Sequence, residues 1–255
     1  MTLLVTEIHV PGDLRKGFIL FAADQRITML GNLPPRSMKK VFPIPHLNAG
    51  IGYFGLAQVN ERVFLSGWLP NVINQSAQVT SLGEFARTLC ERLNQSVNKT
   101  WLGTHPSGFH ISGYNSNGLP ELWHISNCGV EGFTYNNIVP EYHVTEDFLR
   151  VNAVSLGFDD TNPVIPRPFV QYYVNGDVRP FHLVWRRLDE FAEGIFQFED
   201  FRRPTSYREY IAFAKWKMEV IASFYRSFAH RRIISKPIDA FVIVPGIGII
   251  EQGAG

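Results

Sequence analysis

A threonine stands at position 2, directly behind Met1, and it is the first residue whose type and place together suggest chemistry. Methionine aminopeptidase removes Met1 when the next side chain is small, and threonine qualifies. The mature chain would then carry a hydroxyl and a free α-amine on one residue. An α-amine titrates at roughly 8, so a substantial share is neutral near pH 7 and able to take the hydroxyl proton. Alone the signal is weak, because many proteins begin Met-Thr. Asp24 and Lys40 follow at the edges of apolar runs. Taken singly, each reads as a strand-end residue: Asp24 an acceptor for turn N–H groups, Lys40 a strand-edge cation. The eight histidines include no His-x-x-x-His pair, and Cys90 and Cys128 have neither metal nor disulfide-framework spacing. No metal and no other cofactor is therefore expected.

The elements that must position these residues follow from periodicity. Residues 3–10 and 17–23 are apolar runs parted by Pro11-Gly12-Asp13, so two strands and a turn are expected. Further strands are expected at 26–30, 39–44 and 49–54. Val59, Val63, Phe64 and Trp68 fall at helical spacing and predict a helix over 56–69. Thr80-Ser81 caps a second helix whose Leu82, Phe85, Leu89 and Leu93 share one face. Asn115-Ser116-Asn117-Gly118 joins strands at 108–114 and 121–126 as a hairpin. Residues 128–169 mix prolines, glycines and short apolar runs. Helices over 178–196 and 206–228 come next, then a closing hairpin of 238–244 and 247–251. Runs of strands alternate with runs of helices, which points to α+β layers and not to a βαβ parallel sheet. With no composition break and no repeat, residues 1–255 are expected to be one domain.

Bulk composition narrows the function classes. Hydrophobic residues make up 45% and charged residues 18% of the 255, enough for a real core. The formal net charge is +1, so no long-range field points to nucleic acid or an anionic membrane surface. Arg186-Arg187, Arg202-Arg203 and His230-Arg231-Arg232 are short and scattered and read as solvated helix ends. No apolar stretch approaches the roughly 20 residues needed to cross a bilayer. The amino terminus lacks the basic region and apolar length of a signal peptide. A reducing, cytoplasmic location is expected, and the Asn-x-Ser/Thr triplets at Asn74, Asn94 and Asn98 are expected to carry no glycan.

Several motifs in order carry a resemblance. An apolar strand ends Ala22-Ala23-Asp24-Gln25-Arg26; a Lys39-Lys40 pair follows, with Lys40 sixteen residues after Asp24; then Ala49 to Phe54 runs into Gly55. The hairpin from Phe109 to Ile125 and the ending from Pro237 to Ile247 complete the set. The chain resembles proteasome β-subunits and their bacterial relatives, the N-terminal-nucleophile hydrolases, over most of its length except about 130–175, a candidate insertion. That resemblance implies a four-layer αββα sandwich. It makes Thr2 the nucleophile, its amine the base, Lys40 the cation beside the hydroxyl, and Asp24 the partner of Lys40. It makes the Gly55 N–H the oxyanion donor, although one extra residue precedes it. Thr28 and Gly31 would hydrogen-bond the substrate backbone by strand addition, and Arg26 would support the site.

Departures from the family pattern also shape the expectation. The path from Thr2 to Asp24 is longer than in the relatives, which a larger hairpin tip over 11–16 would absorb. Where the family keeps a supporting acid and serine before its penultimate strand, this chain reads His230-Arg-Arg-Ile-Ile-Ser-Lys236. Ser235 is poorly placed as a substitute, and Ser155 is a guess at the family's other supporting serine. Three readings stay open: a threonine hydrolase of peptides, a small-molecule amidase, or a catalytically silent subunit that only assembles. The resemblance implies a homo-oligomer, a ring among the candidates, and a separate ATP-dependent unfoldase, since this chain shows no ATP-binding loop.

Overall fold

A computed structural model describes residues 2–13, 16–27, 35–145 and 168–251. The described chain is a mixed α+β fold built on two five-stranded antiparallel sheets. The first sheet contains β1 (Leu3–Val10) and β2 (Phe18–Asp24). Two two-residue strands follow, β3 (Arg26–Ile27) and β4 (Arg36–Ser37), paired with each other. The second sheet opens with β5 (Val41–Ile44) and β6 (Ala49–Phe54). After three helices, α1 (Leu65–Gln75), α2 (Leu82–Ser96) and α3 (Lys99–Leu102), it gains β7 (Gly108–Tyr114) and β8 (Pro120–Ser126). A small hairpin of β9 (Gly129–Glu131) and β10 (Thr134–Asn136) precedes its edge strand, β11 (His143–Thr145). β12 (Phe169–Gly176) returns to the first sheet. A π-turn over Phe181–Trp185 leads into α4 (Arg186–Ile195), then α5 (Tyr207–Phe228), β13 (Ile238–Val244) and β14 (Gly248–Glu251).

The first sheet runs in the order β12-β1-β2-β13-β14 and the second β11-β8-β7-β6-β5. β1 and β2 are buried nearly throughout because both of their faces are covered. Leu3 and Val5 point into a core with Phe181, Trp185, Ile211 and Met218. Leu4 and Ile8, one residue out of phase, join Val41, Phe54, Leu122 and Phe241 in a second core. On the other side, Ile51, Phe109 and Ile111 pack with Leu82, Phe85, Leu89 and Leu93 of α2. Each such side chain stabilises the fold by about 1.5–3 kcal/mol on burial, against the entropy of fixing it.

Two elements differ from expectation. The helix predicted over 56–69 begins only at Leu65 and runs to Gln75. The Asn60 side chain accepts from the Arg62 and Val63 N–H groups at 2.9 and 3.0 Å, and Gln58 bridges Phe64, so the apolar 59–64 spacing belongs to a closed loop. Within the stretch 128–169 the described residues contribute β9, β10 and β11, while β12 starts at its last residue and pairs with β1 along its whole length.

Candidate active site

The same ends of both sheets meet at Thr2. Thr2 immediately precedes β1, Asp24 closes β2, and Gly176 closes β12 in register with Leu3. In the other sheet Lys40 precedes β5 and Gly55 follows β6, whose pairing (Val41 opposite Gly52) puts both at one end. Strand pairing thus converts positions far apart in sequence into neighbours.

The Thr2 hydroxyl is wedged between two charged groups. It donates to Asp24 Oδ1 and accepts from Lys40 Nζ, both contacts being short. Lys40 Nζ also lies 3.5 Å from Asp24 Oδ2 and donates to the Arg26 carbonyl. Asp24 is held in turn by the Leu3 N–H at 2.9 Å and the Arg26 N–H at 3.0 Å. Thr2, Asp24 and Lys40 are 2%, 0% and 3% exposed, so these charges act in a medium far less screening than water. Burial pulls the Lys40 ammonium below the ordinary lysine value; the Asp24 carboxylate opposes that fall without cancelling it.

The remaining expected residues fall into three groups. Gly55 lines the same cleft as Thr2 and Lys40, at a φ of +79°. Its Cα is pressed so close to the 106–107 backbone that an added Cβ would stand 1.9 Å from the Pro106 carbonyl oxygen. Arg26 contributes its backbone to Asp24 and Lys40 and lines the cleft. Thr28, Gly31 and Ser155 lie outside the described residues. Ser235 bonds the carbonyl of Lys236 at 3.3 Å and does not line the cleft.

Asp177, Arg179 and Tyr225 were not anticipated. The Asp177 N–H donates to the Thr2 carbonyl at 2.6 Å, which pins the Thr2 backbone from the side opposite Asp24. Its carboxylate takes Arg179 Nε and Nη2 at 2.8 and 2.7 Å and the Tyr225 hydroxyl from α5. Burial pushes the Asp177 carboxyl up, but Arg179 and Tyr225 outweigh it and hold it below the usual range. A carboxylate thus supports the site from the turn after β12, not from 230–236. The sequence signal was Asn175-Gly176-Asp177 closing an apolar run, ordinary turn chemistry at a strand end.

Around these groups opens a cleft of about 890 Å³, walled by Tyr53, Phe54, Leu56, Ala57 and Pro106 on one side and by residues 229–233 on another. No group of three or more His, Cys, Asp and Glu side chains suited to a metal occurs among the described residues. No described helix is long and apolar enough to cross a membrane. Compared with known proteins, the chain matches no family model and no curated protein.

Proposed function

We propose that this chain is a threonine-type N-terminal-nucleophile hydrolase that cleaves peptide or other amide bonds through an acyl-enzyme. The observation that carries the reading is the Thr2 hydroxyl held at once by Asp24 and Lys40 at the floor of an open cleft. Once Met1 is removed, the Thr2 amine, directly or through a water, takes the hydroxyl proton as Oγ1 attacks the substrate carbonyl. The Lys40 ammonium favours the developing alkoxide, and Asp24 keeps that ammonium charged and oriented. The Gly55 N–H receives the oxyanion, a donor of the sort whose loss typically costs about 100- to 1000-fold in rate. The amine returns the proton to the leaving nitrogen, the C–N bond breaks, and water then hydrolyses the Thr2 ester. In this reading α4 and α5 cover one sheet and α1 and α2 the other, an αββα order.

Intact mass before and after incubation with a peptide epoxyketone tests the proposal. The expected result is a chain without Met1 that gains one adduct at Thr2, with the adduct absent from Asp24→Asn and Lys40→Ala. A chain that keeps Met1 and takes up no probe would sink the hydrolase and favour a silent assembling subunit. Phe224 and Phe228, 63% and 74% exposed on α5, suit that second reading, for which a sedimenting species well above the 29.0 kDa monomer is expected.

A further inference from the structure

We propose that the cationic wall of the cleft selects substrates with a carboxylate side chain next to the scissile amide. This rests on the hydrolase reading and adds a substrate class to it. The chain as a whole is nearly balanced, with 24 Lys and Arg against 23 Asp and Glu. The cleft is not. Its lining among the described residues includes Arg26, Arg179, Arg231, Arg232, Lys40 and His230, and neither Asp nor Glu.

Local pairing shows which of these charges remain to be answered. Lys40 is paired with Asp24, and Arg179 with Asp177 at 2.7 Å. No carboxylate among the described residues pairs with Arg26, Arg231 or Arg232. Arg26 Nε is buried without a hydrogen-bond partner among the described residues, an arrangement that costs free energy until an acceptor arrives. Arg231 and Arg232 are exposed on the loop that closes the cleft between α5 and β13. Guanidinium forks match carboxylates in two-pronged geometry, and a concave site with low-dielectric walls focuses their field. The apolar wall of Ile27, Leu56 and Ala57 gives the methylenes of a glutamate side chain a surface to cover. The charges line one concave pocket, which suits a short acidic segment of peptide better than a nucleic-acid backbone.

The test uses two readouts on the full chain. Hydrolysis by the wild type is followed on three fluorogenic peptide amides identical except for Glu, Gln or Lys on the acyl side of the cleaved bond. Binding of the matching fluorescent peptides is followed by anisotropy on Thr2→Ala, which cannot turn them over. We expect Glu to exceed Gln by about tenfold in kcat/KM and in affinity, Lys to be poorest, and the gap to shrink with salt. The exposed pair Arg231→Glu and Arg232→Glu, made together, should reverse the order without unfolding the chain. Three peptides that behave alike in both readouts, or an order that survives the charge reversal, would overturn the selectivity. Hydrolysis without charge preference sinks this inference alone. Glu-selective binding without hydrolysis sinks the enzyme and keeps the anionic site. An oligonucleotide that displaces the Glu peptide at equal concentration overturns the peptide assignment.

Discussion

Thr2 is fixed through its backbone as much as through its side chain, and glycine makes that possible. Gly176 sits at φ +93°, and a Cβ there would lie 1.8 Å from the Thr2 carbonyl oxygen. Gly176→Ala should therefore displace Thr2, abolish labelling by a threonine-directed probe, and destabilise the fold by on the order of 2–4 kcal/mol. Gly12→Ala is the control: its φ is +121° but nothing stands within 4 Å, so strain of about 1 kcal/mol with labelling intact is expected. Chemical-denaturation midpoints and intact mass on both variants check the pair. Thr2, Asp24 and Lys40 were readable in the sequence because their order and spacing survive as a linear pattern. Asp177 was not, because it reaches Thr2 only through the pairing of β12 with β1, and no local period announces a contact so distant in the chain.

Elements with strong local signals were legible, and those shaped by competition were not. α5 begins where Ser206 and Glu209 form a capping box, each side chain bonding the other's backbone. α2 starts after Ser81, whose hydroxyl accepts from the Glu84 N–H at 3.3 Å. The 59–64 segment failed because apolar spacing alone does not weigh the side-chain bonds of Asn60. What periodicity could not announce at all is the charge inside the α5 face. Lys217 is 2% exposed, 3.3 Å from Glu7 on β1 and 2.8 Å from Asp189 on α4, with its ammonium 4.2 Å from the centre of the Trp185 ring. Burial pushes the Glu7 carboxyl up, but Lys217 and His9 reverse that and hold it at about 2. Lys217→Met removes the buried cation between Glu7 and Asp189, leaves Glu7 only His9 and Trp185 as partners, and should cost about 3–5 kcal/mol. Adding Glu7→Gln should recover much of that loss; urea melts of the single and double variants read it out, and strict additivity would argue against coupling.

Between the two sheets the molecule holds neutral histidines. The Asn175 amide donates to His110 Nε2 at 2.7 Å, so Nδ1 carries the proton and donates to the Thr6 hydroxyl at 3.0 Å. Burial and the neighbouring His124 push His110 well below the usual imidazole value, and burial takes His124 to about 4. Below about pH 6.5 the unfolded chain protonates these rings while the folded one does not, so stability is full above that pH and declines as the pH falls toward 4. The slope should be roughly 1.4 kcal/mol per pH unit for each histidine. Tm at pH 7.5, 6 and 5 checks this; a flat profile would mean that the rings take up protons without unfolding. The joining of β1 to β12 also orders events in time. Thr2 leaves the ribosome well ahead of Asp177, for which its carbonyl waits, and β2 waits longer still for β13. At 5–20 residues per second, translation alone imposes a delay on the order of ten seconds or more. A nascent chain therefore carries Thr2 long before the groups that surround it, and in the hydrolase reading proposed above half-made copies are spared a working site.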